Sequence, residues 1–243
     1  SGAPKGVTAR PATAARAAIP GRTANILVEI TGRELEREGM IKMPLNIAPL
    51  PGPDWQAALR AALTRLDGLQ GEADAWAADG GRYIRPILLV QVERTGADQR
   101  DADFIHADDA RDWLMKAGLE EAEIAFKTAE INDLDKPENR DLLSPHCRVR
   151  AIITKAALAE GWDCPFAYVL CSLAASGNES AMTQLVGRIL RQPHAAKTGV
   201  AALDECYVFT HRADTQAVVA AIKKGLSEDG LSDLVRDVVL PDP

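Results

Sequence analysis

The sequence predicts an α/β fold, in which a parallel β-sheet carries helices on both faces and is preceded by a smaller β-containing N-terminal extension. Two patterns predict this fold class. Continuous apolar runs of strand length, such as Ile87–Val92, are typical of strands that are covered on both faces. These runs alternate with stretches of helical periodicity, such as Ser180–Arg191. Strands that are joined through helices pair in parallel, so the alternation indicates a parallel sheet.

The composition of the 243-residue chain indicates one sizeable folded domain with appendages or two small domains. It contains neither a membrane-length apolar run nor a leader pattern, so we expect a cytoplasmic protein that makes no membrane contact. The net charge of −7 argues against a wholly basic nucleic-acid-binding surface but is compatible with local contacts. The four cysteines lack CxxC spacing, which predicts buried thiols and no metal site.

Four regions are predicted along the chain. Residues 1–24 contain eight alanines, four basic residues and three prolines, which is typical of a linker. Residues 25–83 form the predicted N-terminal extension, packed on the main domain. Residues 84–228 form the main α/β domain, and residues 229–243 form a tail.

A capping box predicts a short helix inside the extension. Thr31 supplies the N-cap hydroxyl, Glu34 supplies the carboxylate three residues later, and Gly39 ends the helix. The elements predicted for the extension are the strands Asn25–Ile30 and Met40–Ile47, a helix that begins at Asp54, and a second helical stretch at Gln70–Ala78 that ends at Gly80-Gly81.

Strands and helices then alternate through the main domain. Its closing helix, Asp214–Lys224, is expected to end at Gly225, because glycine commonly follows the last helical residue. The other elements predicted here are the strands Ile84–Glu93, Glu123–Thr128, Arg148–Thr154, Ala167–Leu173 and Cys206–Thr210 and the helices Asp108–Ala117 and Ser180–Arg191.

One face of the Ser180–Arg191 helix is predicted to carry functional side chains. At about 100° per residue, Gln184, Arg188 and Arg191 share a narrow face opposite an apolar one. Two planar guanidiniums on one face suit a phosphate chain, because each matches phosphate oxygens bidentately. Gly187 removes a side chain beside them. The alternative is an ordinary solvated helix face.

The segment upstream of this helix carries a second pattern. A short apolar strand ends at Thr154, and a turn of small residues leads to the segment Glu160–Leu170. A second segment, Gly187–Pro193, includes the last turn of the Ser180–Arg191 helix. These two segments resemble motifs V and VI of superfamily 2 helicases and translocases. Their residue sequences are similar to those of the ATP-dependent Res subunit of type III restriction enzymes and its DEAD/DEAH-box relatives. The resemblance extends from about residue 25 to about residue 228.

This resemblance implies a RecA-like motor domain and a catalytic role for the helix face. Arg188 and Arg191 match the two arginines that reach across the domain cleft to the γ-phosphate of ATP. Gln184 matches the glutamine that couples nucleotide binding to cleft closure. The resemblance further implies ATP contacts at Gly161, Asp163 and Gly187.

The resemblance also implies contacts to the nucleic-acid backbone at Thr154, Lys155 and Thr128. Functional groups of parallel sheets gather where strands end, which favours contact positions for Thr154 and Asp163. Motif IV corresponds to Ile87–Glu93, where Gln91 or Glu93 faces the cleft. The structural alternatives are a helix cap at Thr154, a helix end at Asp163 and a plain loop residue at Thr128. Trp162 either stacks on a base or packs.

The chain lacks a Gly-x-x-x-x-Gly-Lys-[Ser/Thr] phosphate loop, and we identify no Asp-Glu box that would hold magnesium. ATP with Mg²⁺ is therefore expected to be bound mainly by a partner domain, and the chain alone is expected to be inactive. This pattern suggests the second motor domain of a larger ATP hydrolase.

The function expected from the resemblance is ATP hydrolysis that drives movement along double-stranded DNA, in a Res-type translocase or restriction endonuclease subunit. The expected partners are double-stranded DNA, the N-terminal RecA-like domain of the same protein, and a methyltransferase or specificity subunit. Two alternatives stay open, a non-catalytic docking module for nucleic acid or protein and an RNA helicase of the same superfamily.

Overall fold

A computed structural model describes residues 30–50, 52, 54–93, 95, 104–155, 162–174, 179–211, 215–228 and 230–240. Six α-helices lie in these ranges: α1 (Gly32–Arg37), α2 (Trp55–Ala78), α3 (Ala107–Lys116), α4 (Glu179–Ile189), α5 (Ala201–Asp204) and α6 (Thr215–Glu228). The described strands are β1 (Leu45–Leu50), β2 (Ile87–Gln91), β3 (Ile124–Lys127), β4 (Ala151–Thr154), β5 (Ala167–Ser172), β6 (Cys206–His211) and β7 (Val238–Val239).

The seven strands form one sheet in the order β3-β4-β2-β5-β6-β1-β7, and each neighbouring pair is parallel. Strands β2, β4, β5 and β6 are buried along their whole length. Because side chains alternate between the two faces of a strand, continuous burial means that both faces are covered.

The helices divide between the two faces of the sheet. Crossovers between parallel strands are right-handed as a rule, and the connections that hold α2 and α3 run toward β3, whereas those that hold α4 and α6 run away from it. The rule therefore assigns these two pairs of helices to opposite faces. Contacts agree with this division: the Arg60 guanidinium of α2 lies 5.9 Å from the Trp113 ring centroid of α3. On the other face, the Thr183 hydroxyl of α4 donates to the Ala221 carbonyl of α6 over 3.4 Å. The predicted fold class, an α/β fold with a parallel sheet and helices on both faces, is confirmed.

The region predicted as an extension contributes a strand to this same sheet. Strand β1 lies between β6 and β7, with Leu45 opposite Cys206 and opposite Val238. The predicted strand Met40–Ile47 is thus observed later in the chain, after Pro44, which has no N–H to donate to a ladder. The strand predicted at Asn25–Ile30 lies almost wholly outside the described residues, and the tail supplies β7.

The helices begin largely where the sequence predicts them. The Thr31 hydroxyl accepts from the Glu34 N–H at 3.2 Å, and the Glu34 carboxylate accepts from the Thr31 N–H at 2.8 Å, which confirms the capping box. The two stretches predicted between Asp54 and Ala78 form a single helix, α2. Its buried side extends without a break across the predicted gap through Leu66, Leu69 and Ala73.

The cysteines match their prediction, since Cys147, Cys164, Cys171 and Cys206 are all buried and unpaired. None of the helices in the described part of the chain combines the length and the apolar character needed to cross a bilayer.

The prediction that Gly225 ends the closing helix is wrong. Helix α6 continues past it to Glu228, and Gly225 is buried where α6 crosses α4. A β-carbon at this position would overlap the Thr183 Cγ2 of α4. The glycine is therefore required by close helix packing and not by helix termination.

We predict that Gly225→Ala lowers the free energy of unfolding by about 2–3 kcal/mol, because the added methyl group forces α4 and α6 apart. The measurement is urea unfolding followed by circular dichroism. Gly68→Ala, on α2 with open space around it, is the matched control and should stabilise by about 0.5–1 kcal/mol through helix propensity alone. Equal effects of the two substitutions would contradict the packing role.

Candidate functional site

Helix α4 has the two faces that its sequence predicts. Its apolar side is buried against the sheet through Met182, Leu185, Val186, Ile189 and Leu190. Gln184 is exposed, and Gly187 and Arg188 are partly exposed. The arginine side chains are therefore not needed to pack the helix.

Arg191 lies beyond the helix rather than on it. The helix ends at Ile189, and Arg191 forms an antiparallel bridge with Ile41. The Gln192 N–H donates to the Met40 carbonyl over 2.9 Å in the same pairing. This extended pairing stops the helix two residues before its predicted end and sets the direction of the Arg191 side chain.

The two arginines converge on the Trp162-Asp163 segment. The Arg191 guanidinium lies 2.6 Å from the Asp163 carboxylate, and both side chains are about half exposed, at 52% and 46%. Arg188 donates to the Trp162 carbonyl and lies 6.0 Å from the centroid of the Trp162 ring. The ends of the two predicted motifs are thus brought together.

Electrostatics at this point reflect two neighbouring positive charges. Partial burial lowers the pKa of Arg188, the nearby Arg191 charge lowers it further, and Asp163 acts in the opposite direction. Arginine stays protonated even so, because its ordinary pKa lies far above neutrality. The Trp162 ring packs against the hydrophobic core, which supports a packing role for that side chain. Gly161, the remaining predicted ATP contact, lies outside the described residues.

The residues predicted to contact nucleic acid lie at the edge of the sheet formed by the carboxyl ends of the strands, away from the two arginines. Thr154 is the last residue of β4 and is 2% exposed, while Lys155 follows it and is exposed. Thr128 follows β3, one residue beyond the pair Lys127 and Thr154. The Thr128 hydroxyl accepts from the Ile131 N–H at 3.0 Å, so it also shapes its own turn.

Thr154 and Asp163 lie at opposite edges of the sheet. Thr154 ends a strand, whereas Asp163 precedes strand β5 and lies at the amino-terminal edge. Strand β5 runs from Ala167 to Ser172, and at about 3.3 Å per residue it separates the two edges by roughly 17 Å. The candidate site therefore has two parts, an arginine cluster (Asp163, Arg188 and Arg191) and a strand-end group (Thr128, Thr154 and Lys155).

A row of buried polar side chains adjoins the strand-end group. Thr154, Gln91, Ser172 and Thr210 lie side by side on β4, β2, β5 and β6. The Ser172 hydroxyl donates to the Gln91 side-chain oxygen over 2.8 Å. Of the two motif IV candidates, Gln91 belongs to this row, while the Glu93 carboxylate accepts from the Ile105 N–H at 3.0 Å. Ser172 and Thr210 were not predicted from the sequence, although Ser172 is the last residue of β5 and Thr210 is the last but one of β6.

A buried lysine next to the arginine cluster was also not predicted from the sequence. Lys42 is 0% exposed, and its ammonium donates to the carbonyls of Pro165 at 3.0 Å and Ala167 at 2.6 Å. The same nitrogen lies 3.8 Å from the centroid of the Tyr168 ring. In the sequence, its signal is a single cation inside the apolar run Met40–Ile47.

Burial lowers the pKa of Lys42 to about 7, although Cys206, Cys164 and Asp163 act to raise it. Burial also raises the pKa of the Cys164 thiol to about 11 and that of Cys206 to about 12. The lysine thus sits in a low-dielectric pocket in which charge of either sign is disfavoured.

Magnesium ligands do not assemble in the described part of the chain, where no three His, Cys, Asp or Glu side chains come together. One Asp-Glu pair, Asp204-Glu205, does occur in the sequence, at the amino-terminal end of β6. The Asp204 carboxylate accepts from the N–H groups of Thr198 at 2.7 Å and Gly199 at 3.0 Å. It therefore holds a loop rather than facing a phosphate site.

Comparison with known proteins gives distant structural matches. No protein-family model matches the chain, and no curated protein matches it at a significant level. S. cerevisiae Dbp5 bound to Gle1 and IP6 matches with a TM-score of 0.44 and 14% identity, over 82% of this chain and 42% of that one. The Dbp5 C-terminal domain, also bound to Gle1 and IP6, matches with a TM-score of 0.42 and 16% identity, over 82% and 88% of the two chains.

A restriction enzyme is also among the similar structures. The ATP-dependent type ISP restriction-modification enzyme LlaBIII bound to DNA matches with a TM-score of 0.41 and 13% identity. That match covers 81% of this chain and 14% of the enzyme. The chain thus spans less than half the length of both the first Dbp5 chain and the restriction enzyme.

We predict that Lys42 contributes a rise of about 2 kcal/mol to the free energy of unfolding between pH 7 and pH 9. Its pKa is about 7 in the folded chain and 10.5 in the unfolded one, so the unfolded chain binds more protons in this window and deprotonation favours folding. Below pH 7 this gain is absent. Lys42→Met should abolish the rise, as measured by urea unfolding at a series of pH values.

The exposed Lys224 supplies the control, since Lys224→Met removes the same charge without a buried amine and should keep the wild-type slope. Measurements stop at pH 9 because the raised pKa values of Cys164 and Cys206 make stability fall at higher pH. An unchanged slope in Lys42→Met would show that Lys42 does not titrate in this window.

Proposed function

We propose that the chain is the second motor domain of an ATP-dependent DNA translocase of the type III restriction Res type. In this proposal, Arg188 and Arg191 act on the phosphates of an ATP molecule that the other motor domain holds. The observation that carries the proposal is the convergence of both guanidiniums on Trp162-Asp163, at an exposed point of the surface.

The Arg191–Asp163 ion pair supports this role because it is easily exchanged. An exposed ion pair stabilises a fold by no more than about 1 kcal/mol. A phosphate group offers two guanidinium-matched oxygens and a larger charge, so it competes well with one carboxylate. Asp163 can then turn from Arg191 toward another group, and the ribose is the contact that the motif resemblance suggests.

Arg188 is suited to a different part of the same task. Its donation to the Trp162 carbonyl and its position near the Trp162 ring orient the guanidinium from one side. Partial burial disfavours its charge, and a nearby anion would relieve that cost. ATP with Mg²⁺ would supply the phosphoryl group and its counter-charge. The two arginines would stabilise the negative charge that develops there during transfer.

The strand-end group supports a nucleic-acid track on the opposite edge of the sheet. Lys155 is exposed beyond β4, where it can neutralise a phosphate, whereas the Thr154 hydroxyl lies just beneath the surface. Strand β5 and the segment that precedes it connect this edge to Asp163. A movement of the arginine cluster relative to the strand-end group would therefore couple the nucleotide state to the affinity for nucleic acid.

The proposal also includes the partners of such an enzyme. These are double-stranded DNA, an N-terminal RecA-like domain of the same protein and a methyltransferase or specificity subunit, in the cytoplasm. A docking module would not need both arginines, so the arginine substitutions separate the motor from a docking module. DNA and RNA, tested separately as stimulants of the ATPase, separate a DNA motor from an RNA helicase.

We predict that Arg188→Ala and Arg191→Ala, in a protein that contains both motor domains, each reduce kcat by about a hundredfold or more while leaving the KM for ATP largely unchanged. Such an arginine finger, a guanidinium that reaches the phosphoryl group held by the other domain, contributes mainly in the transition state. Its loss therefore affects turnover more than ATP binding. Arg→Lys at either position should also fail, because a point charge cannot replace the planar fork. The measurement is steady-state ATPase at saturating DNA.

Gln216, exposed on α6, gives a control substitution, Gln216→Ala, away from the arginine cluster. Melting curves for all variants verify that folding is kept. An arginine variant that folds normally and retains near wild-type kcat would mean that the residue is a solvated surface charge.

We predict that Lys155→Ala weakens DNA binding by the same factor for all sequences and lowers the slope of log K against log salt by about one. Thr154→Val should weaken binding less, because its hydroxyl is nearly buried. Fluorescence anisotropy at several salt concentrations measures both effects. The control is Lys224→Ala on helix α6, which should leave affinity and slope unchanged. If Lys155→Ala also leaves both unchanged, the strand-end group does not contact DNA.

A further inference from the structure

Lys42 bonds to both of the segments that carry the Arg191–Asp163 ion pair. Its backbone N–H donates to the Leu190 carbonyl over 2.5 Å, one residue before Arg191. Its side-chain ammonium donates to the Pro165 carbonyl, two residues after Asp163, and to the Ala167 carbonyl. One residue from outside both motifs therefore connects them.

The side chain of Lys42 substitutes for a missing stretch of strand. The Ile87 N–H of β2 bonds to the Phe166 carbonyl at 2.7 Å, whereas the carbonyls of Pro165 and Ala167 on either side of it accept from the Lys42 ammonium. The described pairing of β5 with β6 begins only at Val169. The two carbonyls lie before that point, and the lysine ammonium supplies the donors that a neighbouring strand would otherwise provide.

The backbone of the same segment holds the arginine side of the cluster. Ile41 is bridged to Arg191, and the Gln192 N–H bonds to the Met40 carbonyl. The ammonium is fully buried and donates to two carbonyls while facing a ring, which gives it little freedom to move. Movement of Lys42 would thus displace the backbone on both sides of the ion pair.

We propose that Lys42 is a positioning residue that fixes the reach of Arg191 relative to Asp163 and hence toward the phosphate. This inference rests on the proposed function, because it assigns Lys42 to the arginine finger. Lys42 itself touches neither nucleotide nor nucleic acid. Its substitution should act on turnover through Arg191 and leave the folded sheet in place.

The first experiment measures local order in the chain itself. Amide hydrogen exchange by NMR reports on the N–H of residue 42 and on that of Gln192, the two bonds that join the segments. In Lys42→Met, a side chain of similar length without donors, both amides should exchange at least about tenfold faster, while the amides of β2 keep their rates. In Lys42→Gln, which keeps a donor, the exchange rates of the two amides should lie between those of the wild type and of Lys42→Met. Lys42→Gln replaces Lys42→Met if that variant does not fold.

Ile47→Val supplies the matched control for general destabilisation. Ile47 is fully buried in β1, and this substitution removes one methyl group without removing a donor. Any faster exchange in this variant should appear across the sheet and not at residue 42 and Gln192 alone. Unchanged exchange at those two amides in Lys42→Met would overturn the proposal.

The second experiment is a double-mutant cycle in a protein that contains both motor domains. Lys42→Met should reduce kcat by about tenfold to a hundredfold, since a displacement of about 1 Å can have an effect of this size, with little change in the KM for ATP. In an Arg191→Ala background, the same substitution should change kcat less than about twofold. A purely structural role predicts equal effects in both backgrounds and would refute the positioning role.

The two experiments distinguish failure of this inference from failure of the proposed function. If Arg191→Ala alone leaves kcat unchanged, then the finger role is wrong, whatever the exchange data show. If Arg191→Ala reduces kcat but Lys42→Met reduces it further by the same factor in both backgrounds, then the finger role stands and the positioning role of Lys42 is wrong.

Discussion

Burial of the parallel sheet on both faces is the constraint from which the arrangement of polar groups follows. Strands β2, β4, β5 and β6 have no solvent-facing side, so polar side chains can act only where the strands begin or end. The arginine cluster occupies the amino-terminal edge and the strand-end group occupies the other. Strand β5 and the segment before it, which carries Asp163, connect the two and give any coupling between them a short covalent route.

The amino-terminal edge depends on buried side-chain nitrogens that donate to carbonyls. Lys42 satisfies the carbonyls that precede the pairing of β5 with β6. Arg85 does the same before β2, where it donates to the carbonyls of Val149 and Ser144 at 3.0 Å each and of Leu142 at 2.7 Å. An unpaired buried carbonyl costs about 1–3 kcal/mol, which explains why charged side chains are tolerated there. Both residues lie outside the predicted motifs V and VI, and both donate to carbonyls in or near them.

Helix α4 shows how packing and chemistry are separated on one element. Its apolar face is held by the sheet, and the buried Gly225 lets α6 approach it closely. With the helix fixed from behind, Gln184 and Arg188 remain on the outward side. The bridge between Arg191 and Ile41 then ends the helix and redirects the second arginine toward Asp163. Two nearby guanidiniums are thus brought together by different structural elements.

The sequence by itself determined the features that depend on local periodicity and local bonding. The continuous apolar strands, the two-faced helix α4 and the capping box at Thr31 follow from residue spacing, because burial and capping select side chains at fixed intervals. Only the tertiary structure decided the position of β1 inside the sheet, the separation of Thr154 from Asp163, the packing role of Gly225 and the bonds of Lys42. Each of these depends on which distant segments become neighbours. Strand order and helix crossing are set by long-range pairing, and residue spacing along the chain does not record them.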